Sequence, residues 1–324
     1  MTTGAGEDVV SLRPSVALPA LVTPLLDPVT LDADAVGALV CRAVADGAGG
    51  VLVTGTTGEG SLLSPDTRST VTGLARTALD AELAAGAAVE GAASSTAGGS
   101  GRPFLVAGAS GPSPAEIRAD VARLAAAGAD LVLVLAPSLH PLSADELADF
   151  HLDVADAAEV ATLVYHIPQL TGSSLTPDTV RRMAGHERIV GMKDSSPDAE
   201  RRAAFVATTS DRADFAVFTG HAPTLAAALR AGVAGSITAV GNLRLRHVVA
   251  MHEAVAGGDD ARTDELQGRL SRLSADIAEV GASTPAVLKA ALQLDGVLDE
   301  RWCAPPLSSV PPNRLDHVRT ALFR

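Results

Sequence analysis

The chain has 324 residues with a net charge of −13 at pH 7, and 47% of them are hydrophobic but only 2% aromatic. A chain of this size can form one large core, which Ala, Val and Leu must fill. The acidic charge argues against nucleic acid or an anionic membrane as a partner, and the sequence shows neither a signal peptide nor an apolar stretch of about twenty residues that would span a membrane. Cys41 and Cys303 lack metal-type spacing, so we expect a reduced, cytoplasmic protein.

Short apolar runs recur along the chain, and a helical pattern follows each of them. Helices are predicted at 32–46, 65–80, 114–127 and 143–158. Apolar strands joined by helices are typical of a parallel sheet covered on both faces. Eight of them in this length predict an α/β fold of the (β/α)8 TIM barrel type. The strands are predicted near 16–22, 50–54, 103–108, 130–136, 161–165, 188–193, 215–219 and 235–239.

The remaining segments surround this barrel, which we place at 15–243. Residues 1–14 are predicted to form a flexible leader. Residues 83–102 are rich in Ala, Gly and Ser, which predicts a mobile loop inserted between the second helix and the third strand, on the face opposite the active site. Helices near 245–257, 260–280 and 284–294 predict a C-terminal helical extension over 244–324.

Two neighbouring apolar runs end in residues that can do chemistry. Tyr165 ends the fifth predicted strand, and Lys193 ends the sixth. In a parallel barrel the C-terminal ends of the strands point into one shared mouth. A lysine there can attack a carbonyl if a neighbour shuttles protons, whereas an isolated lysine at a strand end more often extends into water.

A turn rich in glycine and threonine follows the second strand. It reads Gly55-Thr56-Thr57-Gly58-Glu59. The glycines let successive N–H groups converge on an anion, and the hydroxyls add donors. The turn lacks the Gly-Lys-Ser/Thr ending of a phosphate loop, so it suits a carboxylate; a purely structural turn is the alternative.

Together these segments resemble the dihydrodipicolinate synthase and N-acetylneuraminate lyase family, the pyruvate-type class I aldolases. The resemblance runs from residue 20 to residue 307. It depends on four motifs in the right order, which are the turn at 55–59, Tyr165-x-x-Pro168, the segment 191–195 around Lys193, and the segment 232–242.

The resemblance implies a role for each site residue. Lys193 would form a Schiff base with a 2-oxo acid, Tyr165 would relay protons, and Thr56 would hydrogen-bond Tyr165. Thr57 with its backbone amide would hold the substrate carboxylate between Gly55 and Gly58, and Ile237 would line the same site. Such chemistry requires no cofactor and no metal, and many members of the family are tetramers, so we expect a homo-oligomer, either a tetramer or a dimer.

Three positions depart from the family pattern. Members that make dihydrodipicolinate carry an arginine where this chain has Leu170, and leucine cannot donate the two parallel hydrogen bonds that bind a carboxylate. A relay tyrosine found in many members is replaced by Leu139, so His140, a water or no further group completes the relay. The sugar-binding Asp-Glu pair of the neuraminate lyases is replaced at His221. We therefore predict neither a true dihydrodipicolinate synthase nor a neuraminate lyase.

The histidines and the second lysine are the remaining residues that we considered for the site. His140, His166 and His221 follow strand ends, which predicts contact with the distal end of a substrate, with loop structure or a metal site as alternatives. The other histidines, at 151, 186, 247, 252 and 317, are predicted to lie on the surface. Lys289 lies on a C-terminal helix and is expected to be dispensable for the covalent adduct and for turnover.

These observations predict a Schiff-base lyase that joins pyruvate or a related 2-oxo acid to an aldehyde, or cleaves such an adduct. The aldehyde is expected to be neutral, hydroxylated or bulky and apolar, because Leu170 offers no anion site. Two alternatives stay open. One is dehydration of a 2-keto-3-deoxy sugar acid through the same imine, and the other is a catalytically silent protein that binds a 2-oxo acid.

Overall fold

The computed structural model describes residues 16–89 and 103–323, including all of their side chains except those of 86–89. The predicted leader at 1–14 and residues 90–102 of the predicted insertion lie outside the described residues. Residues 83–89, which we expected in a loop, instead continue a helix that ends at Val89. Alanine dominates this stretch, and alanine has the highest intrinsic preference for a helix.

Eight parallel strands, in the described part of the chain, form one barrel. Each strand pairs with its neighbours in sequence, and β1 pairs with β8. A parallel bridge between Ala20 and Leu52 joins the first two strands and closes the circle. The predicted TIM barrel is therefore confirmed. The strands are β1 Val16–Pro19, β2 Gly50–Val53, β3 Phe104–Ala109, β4 Leu131–Leu135, β5 Ala161–His166, β6 Ile189–Asp194, β7 Ala216–Thr219 and β8 Gly235–Thr238.

Helices connect the strands and cover the outside of the barrel. Several begin where the sequence offers a capping side chain: Asp32 accepts from Ala35 N, and Ser143 forms a reciprocal capping box with Glu146. The helices are α1 Ala33–Ala45, α2 Pro65–Val89, α3 Pro114–Ala126, α4 Ala144–Ala157, α5 Pro168–Thr171, α6 Pro177–Ala184, α7 Ala199–Thr208, α8 Leu225–Arg230, α9 Gly241–Ala256, α10 Asp260–Glu279, α11 Thr284–Leu294 and α12 Leu315–Leu322.

Two apolar clusters account for the continuous hydrophobicity of the strands. One fills the barrel and consists of strand residues and their immediate neighbours, among them Leu52, Leu133, Phe218 and Ile237. The other joins the strands to the surrounding helices. Because successive side chains point to opposite faces, each strand needs apolar residues on both faces.

A bulge between β5 and β6 determines which side chains meet at their ends. The register begins with Thr162 opposite Ile189 but continues with Leu163 opposite Gly191, so β6 carries one extra residue. Beyond this point Tyr165 lies opposite Lys193. Without the bulge Tyr165 would lie opposite Met192, because a shift of one residue turns every side chain to the other face.

The C-terminal helices begin earlier than expected. Helix α9 starts at Gly241, so the predicted boundary at 243 falls inside it. The Asn242 side chain accepts from Val22 N at 3.1 Å and donates to the Ala20 carbonyl at 2.7 Å, which ties α9 to the end of β1. None of the helices in the described ranges has both the length and the apolar character needed to cross a membrane.

Two of the histidines that we expected on the surface are buried instead. His151 and His252 are each 4% exposed. Burial, followed by the charge of His166, lowers the pKa of His151 to about 3. His252 hydrogen-bonds Ser236 at 2.8 Å. Both lie on the inward faces of amphipathic helices, where a single polar residue in the sequence does not reveal its burial.

Candidate active site

Tyr165 and Lys193 lie side by side at the end of two neighbouring strands. The Lys193 ammonium nitrogen is 4.6 Å from the centroid of the Tyr165 ring. Tyr165 is 7% exposed and Lys193 is 4% exposed. Tyr165 is also part of the apolar cluster that fills the barrel. The amine of Lys193 therefore lies against apolar surroundings. An amine in such a place can attack a carbonyl, and the phenol beside it can exchange a proton.

The Gly-Thr turn reaches the same place from β2. Thr56 Oγ1 donates a hydrogen bond to the Tyr165 hydroxyl at 3.3 Å. The Gly58 carbonyl accepts from Thr23 Oγ1 at 2.7 Å, which fixes the far side of the turn. The structure therefore brings Thr56 to Tyr165, and Gly55 lines a small cavity together with both of them. Thr57 is half-buried in the same turn.

The backbone is strained where the turn begins. Thr54 has a φ of 51°, which is rare for a β-branched residue. Its hydroxyl donates to the Gly108 carbonyl and accepts from the Gly108 N–H, each at 3.1 Å. A Cβ on Gly108 would lie 2.5 Å from the Thr54 carbonyl oxygen, so only glycine permits this approach. Strain of this kind is found at functional sites, where the surroundings hold it.

A buried ion pair that the sequence analysis missed supports the turn. Glu59 ends the motif with a φ of 60°, and its Oε1 lies 2.5 Å from Lys289 Nζ, with both side chains 0% exposed. Glu59 Oε2 accepts from Ala304 N at 2.6 Å, and Lys289 donates to the Trp302 carbonyl at 2.6 Å. The ion pair gives Lys289 a structural role that the sequence analysis did not predict, because its removal would leave a buried carboxylate unpaired. That Lys289 is dispensable for imine formation stays a prediction.

His166 takes part in a buried network and does not face the barrel mouth. Its Nδ1 bonds Asp194 Oδ1 at 2.8 Å, its Nε2 accepts from Leu175 N at 3.3 Å, and the residue is 2% exposed. The predicted substrate contact of His166 is therefore wrong, since both ring nitrogens are engaged. Arg202 Nε also donates to Asp194, at 2.8 Å. Burial raises the pKa of Asp194, but the hydrogen bond from His166 and the charge of Arg202 outweigh it and hold that pKa below its usual value.

The other two histidines lie closer to solvent. His221 is half-buried and hydrogen-bonds Thr224 at 3.0 Å; burial, then the charge of Arg202, lowers its pKa. His140 is exposed. It lines a cavity of about 680 Å³ together with Leu139 and several prolines. This cavity shares Ser61, Ser110 and Leu135 with a smaller one beside Tyr165, so the two are adjacent.

Gly220 is a site residue whose importance the sequence analysis did not recognise. A Cβ at this position would lie 2.1 Å from Ser195 Oγ and 2.9 Å from Lys193 Cε. The glycine therefore leaves space for the lysine side chain. Its place directly after β7, beside a strand that ends in lysine, is the sequence signal that could have revealed it.

The remaining predicted residues differ in their exposure. Ile237 is 1% exposed inside the barrel, whereas Leu170 is 60% exposed on the short helix α5. Gln169 beside it donates to the Ser195 carbonyl at 2.8 Å, which holds this turn against the end of β6. Within the described ranges, no group of three or more His, Cys, Asp or Glu residues is arranged to hold a metal ion.

Similarity to known proteins extends over most of the chain. The Dihydrodipicolinate synthetase family matches residues 13–323. The 4-hydroxy-tetrahydrodipicolinate synthase of Hyphomonas neptunium is 33% identical over 257 residues, which cover 79% of this chain and 80% of that protein. The enzyme of the same name from Gluconacetobacter diazotrophicus is 30% identical over 306 residues, or 94% and 95% of the two chains. The crystal structure of dihydrodipicolinate synthase from Aquifex aeolicus has a TM-score of 0.82 at 25% identity and covers 95% of this chain and 97% of that one.

An eight-stranded parallel barrel with a buried lysine beside a tyrosine at its mouth is the architecture of a lyase of the class I aldolase type. The match over nearly the whole chain is more specific: this chain belongs to the dihydrodipicolinate synthetase family, whose members are Schiff-base aldolases that act on pyruvate. The resemblance seen in the sequence is thus confirmed.

Proposed function

We propose that this chain is an aldolase in which Lys193 forms the Schiff base with pyruvate or a related 2-oxo acid. The observation that carries this proposal is the burial of Lys193 directly against the only tyrosine of the chain. The amine attacks the keto carbon and water leaves, which forms an iminium ion. The iminium withdraws electrons, so the adjacent carbon loses a proton and becomes an enamine. The enamine carbon bonds to the carbonyl carbon of an aldehyde, whose oxygen takes up a proton, and hydrolysis then frees the lysine.

The neighbouring residues have separate tasks in this proposal. Tyr165 exchanges protons with the substrate, and Thr56 orients the phenol through their hydrogen bond. Thr57 and the N–H groups around Gly55 and Gly58 hold the 2-oxo acid carboxylate, with charge-assisted hydrogen bonds worth about 1.5–3 kcal/mol each. Ile237, on β8, contributes an apolar wall inside the barrel.

Borohydride trapping tests the imine. Reduction in the presence of pyruvate should fix a pyruvyl adduct on Lys193, identified by intact mass and peptide mapping. The chain has only two lysines, and the other, Lys289, is fully buried in an ion pair, so the assignment is simple. Absence of an adduct with pyruvate and with a panel of other 2-oxo acids would exclude this function and leave the catalytically silent alternative.

Tyr165→Phe should separate imine formation from proton transfer. The variant should still give the borohydride adduct, because Lys193 is intact, but turnover should fall by about 10²–10⁴-fold, the usual cost of losing a general acid–base group. Single-turnover trapping and steady-state kinetics measure the two steps. Turnover near that of the unaltered enzyme would mean that a water or His140 carries the protons.

For the second substrate we propose an aldehyde without a carboxylate. The relatives named above are 4-hydroxy-tetrahydrodipicolinate synthases, which makes aspartate semialdehyde the first competitor to examine. Leu170 argues against aspartate semialdehyde as the substrate, because leucine cannot pair with its carboxylate. The large cavity next to the site is lined by Leu139, Leu142 and Phe150, with His140 as a polar contact, and this suits a bulky apolar or hydroxylated aldehyde.

Leu170→Arg should improve the use of aspartate semialdehyde. An arginine can bind a carboxylate through two parallel hydrogen bonds, so we expect kcat/KM for this aldehyde to rise by tenfold or more, about 1.4 kcal/mol. Values for neutral aldehydes should change little and serve as the control. If aspartate semialdehyde is already the best substrate of the unaltered enzyme by a factor of ten, the proposed preference is wrong, and an anion site lies elsewhere in the mouth.

We also propose that the chain forms a homo-oligomer, either a dimer or a tetramer. Val29 and Leu139 lie in loops that follow β1 and β4, and they are 82% and 86% exposed. Large apolar side chains with this exposure are candidates for contact with another subunit. Light scattering should give a multiple of 32.7 kDa, and Leu139→Asp should shift the mass toward the monomer.

A further inference from the structure

A separate cavity with several charged side chains in its wall lies outside the barrel, among the C-terminal helices. Its volume is about 450 Å³, within the range of small-molecule sites. It is bounded by α9, α10 and α12, and it shares no lining residue with the cavities beside Tyr165. Nothing in the proposed aldolase chemistry makes use of it.

Positive charge is concentrated around this cavity although the chain as a whole is strongly acidic. Arg244, Arg269 and Arg272 line it together with His247, and Asp276 is the one carboxylate among the lining residues. Three guanidinium groups against one carboxylate leave an excess of positive charge on the wall. In a chain with a net charge of −13, such a concentration does not follow from composition.

The arginines differ in how far the protein already satisfies them. Arg269 pairs with Glu265 at 2.7 Å. Arg244 has non-helical backbone angles inside α9, and its guanidinium donates to the Leu322 carbonyl at 3.3 Å. Arg272 has no hydrogen bond or ion pair with any other residue in the described part of the chain, although Asp276 lies one turn further along the same helix. Arg272 is therefore available to a ligand.

Burial and the surrounding charges both act on His247. Burial lowers the pKa of this histidine first, and the charges of Arg269, Arg244 and Arg262 lower it further, against the opposing influence of Glu265. Several cations thus act on one position at the edge of the cavity. A bound anion would reduce their mutual repulsion.

We propose that this cavity binds a small polyanion, either a polycarboxylate or a phosphate compound. Guanidinium groups bind carboxylates and phosphates through paired, nearly parallel hydrogen bonds. Two such groups on different helices, Arg244 on α9 and Arg272 on α10, can engage the two ends of one ligand. The buried sides of Leu270, Leu273 and Leu322 leave room for a short carbon chain between them.

Calorimetric titration of the full chain with citrate and with pyrophosphate tests the proposal and distinguishes the two ligand classes. We expect one of them to bind with a dissociation constant below about 1 mM, and the affinity to fall as salt is added. Arg272→Gln should weaken binding by tenfold or more without loss of fold, because this side chain has no partner to lose. Arg272→Lys should restore only part of the affinity, since an ammonium group cannot bind in the paired geometry.

Two controls make the outcome unambiguous. Arg181→Gln removes the same charge from an exposed arginine on α6, whose guanidinium donates to Thr208, and should leave binding unchanged. Lys193→Ala should also bind normally, which separates this cavity from the barrel mouth. Absence of binding by both anions overturns the proposal, and so does equal weakening by Arg181→Gln and Arg272→Gln, which would indicate general attraction between charges.

Discussion

Replacing Lys193 by alanine is expected to abolish both the borohydride adduct and turnover. The substitution removes the only amine at the barrel mouth, and Lys289, the other lysine of the chain, is fully buried against Glu59. No group in the described site can take over imine formation, so the loss should reach the detection limit of the assay. The measurements are intact mass after reduction with pyruvate, and steady-state kinetics.

The matched control for this prediction is Lys289→Arg, which removes the other lysine but keeps a positive charge near Glu59. This variant should retain the pyruvyl adduct at full stoichiometry if it folds. An adduct that persists in Lys193→Ala and disappears in Lys289→Arg would reverse the assignment of the reactive residue.

Lys289→Met is expected to cost about 3–5 kcal/mol of unfolding free energy, because removal of one member of a buried ion pair leaves the other charge uncompensated. The Glu59 carboxylate would keep its hydrogen bond from Ala304 N but lose its counter-ion. Trp302, the only tryptophan of the chain, lies in the segment whose carbonyl accepts from Lys289. Urea denaturation followed by tryptophan fluorescence therefore reports on the affected region directly.

The double variant Glu59→Gln/Lys289→Met provides the control. It removes both charges, so it should be more stable than Lys289→Met alone, and the deviation from additivity measures the coupling of the pair. A loss below 1 kcal/mol in the single variant would show that water reaches Glu59. The pair would then play no part in holding the turn at 55–58.

Much of the fold could be predicted because its signals are local. Each strand is a short apolar run bounded by turn residues, and the predicted ends differ from the observed ones by at most three residues, as at β1. Tyr165 and Lys193 could be identified for the same reason. In a parallel barrel, a polar residue at the end of an apolar run can be assigned to the mouth without knowledge of any distant contact.

The features that could not be predicted depend on contacts between distant parts of the chain. Nothing near Glu59 in the sequence indicates that its partner is Lys289. A lysine on a helix is ordinarily predicted to lie on the surface. The burial of His166 depends in the same way on Asp194 and Leu175 in later elements. The bulge in β6 is also invisible in the sequence, yet it decides that Lys193 lies opposite Tyr165.

The link between Glu59 and Ala304 has a consequence for the synthesis of the protein. The two residues are 245 positions apart in the chain, and a ribosome adding 5–20 residues per second needs about 10–50 s to make that stretch. During this time Glu59 has neither the Lys289 ammonium group nor the Ala304 N–H to compensate its charge, so the buried form of the turn is unfavourable. The turn at 55–59, although translated early, therefore acquires its final support only after residue 304 has been added. In a chain truncated before residue 289, the Glu59 carboxylate would have neither partner.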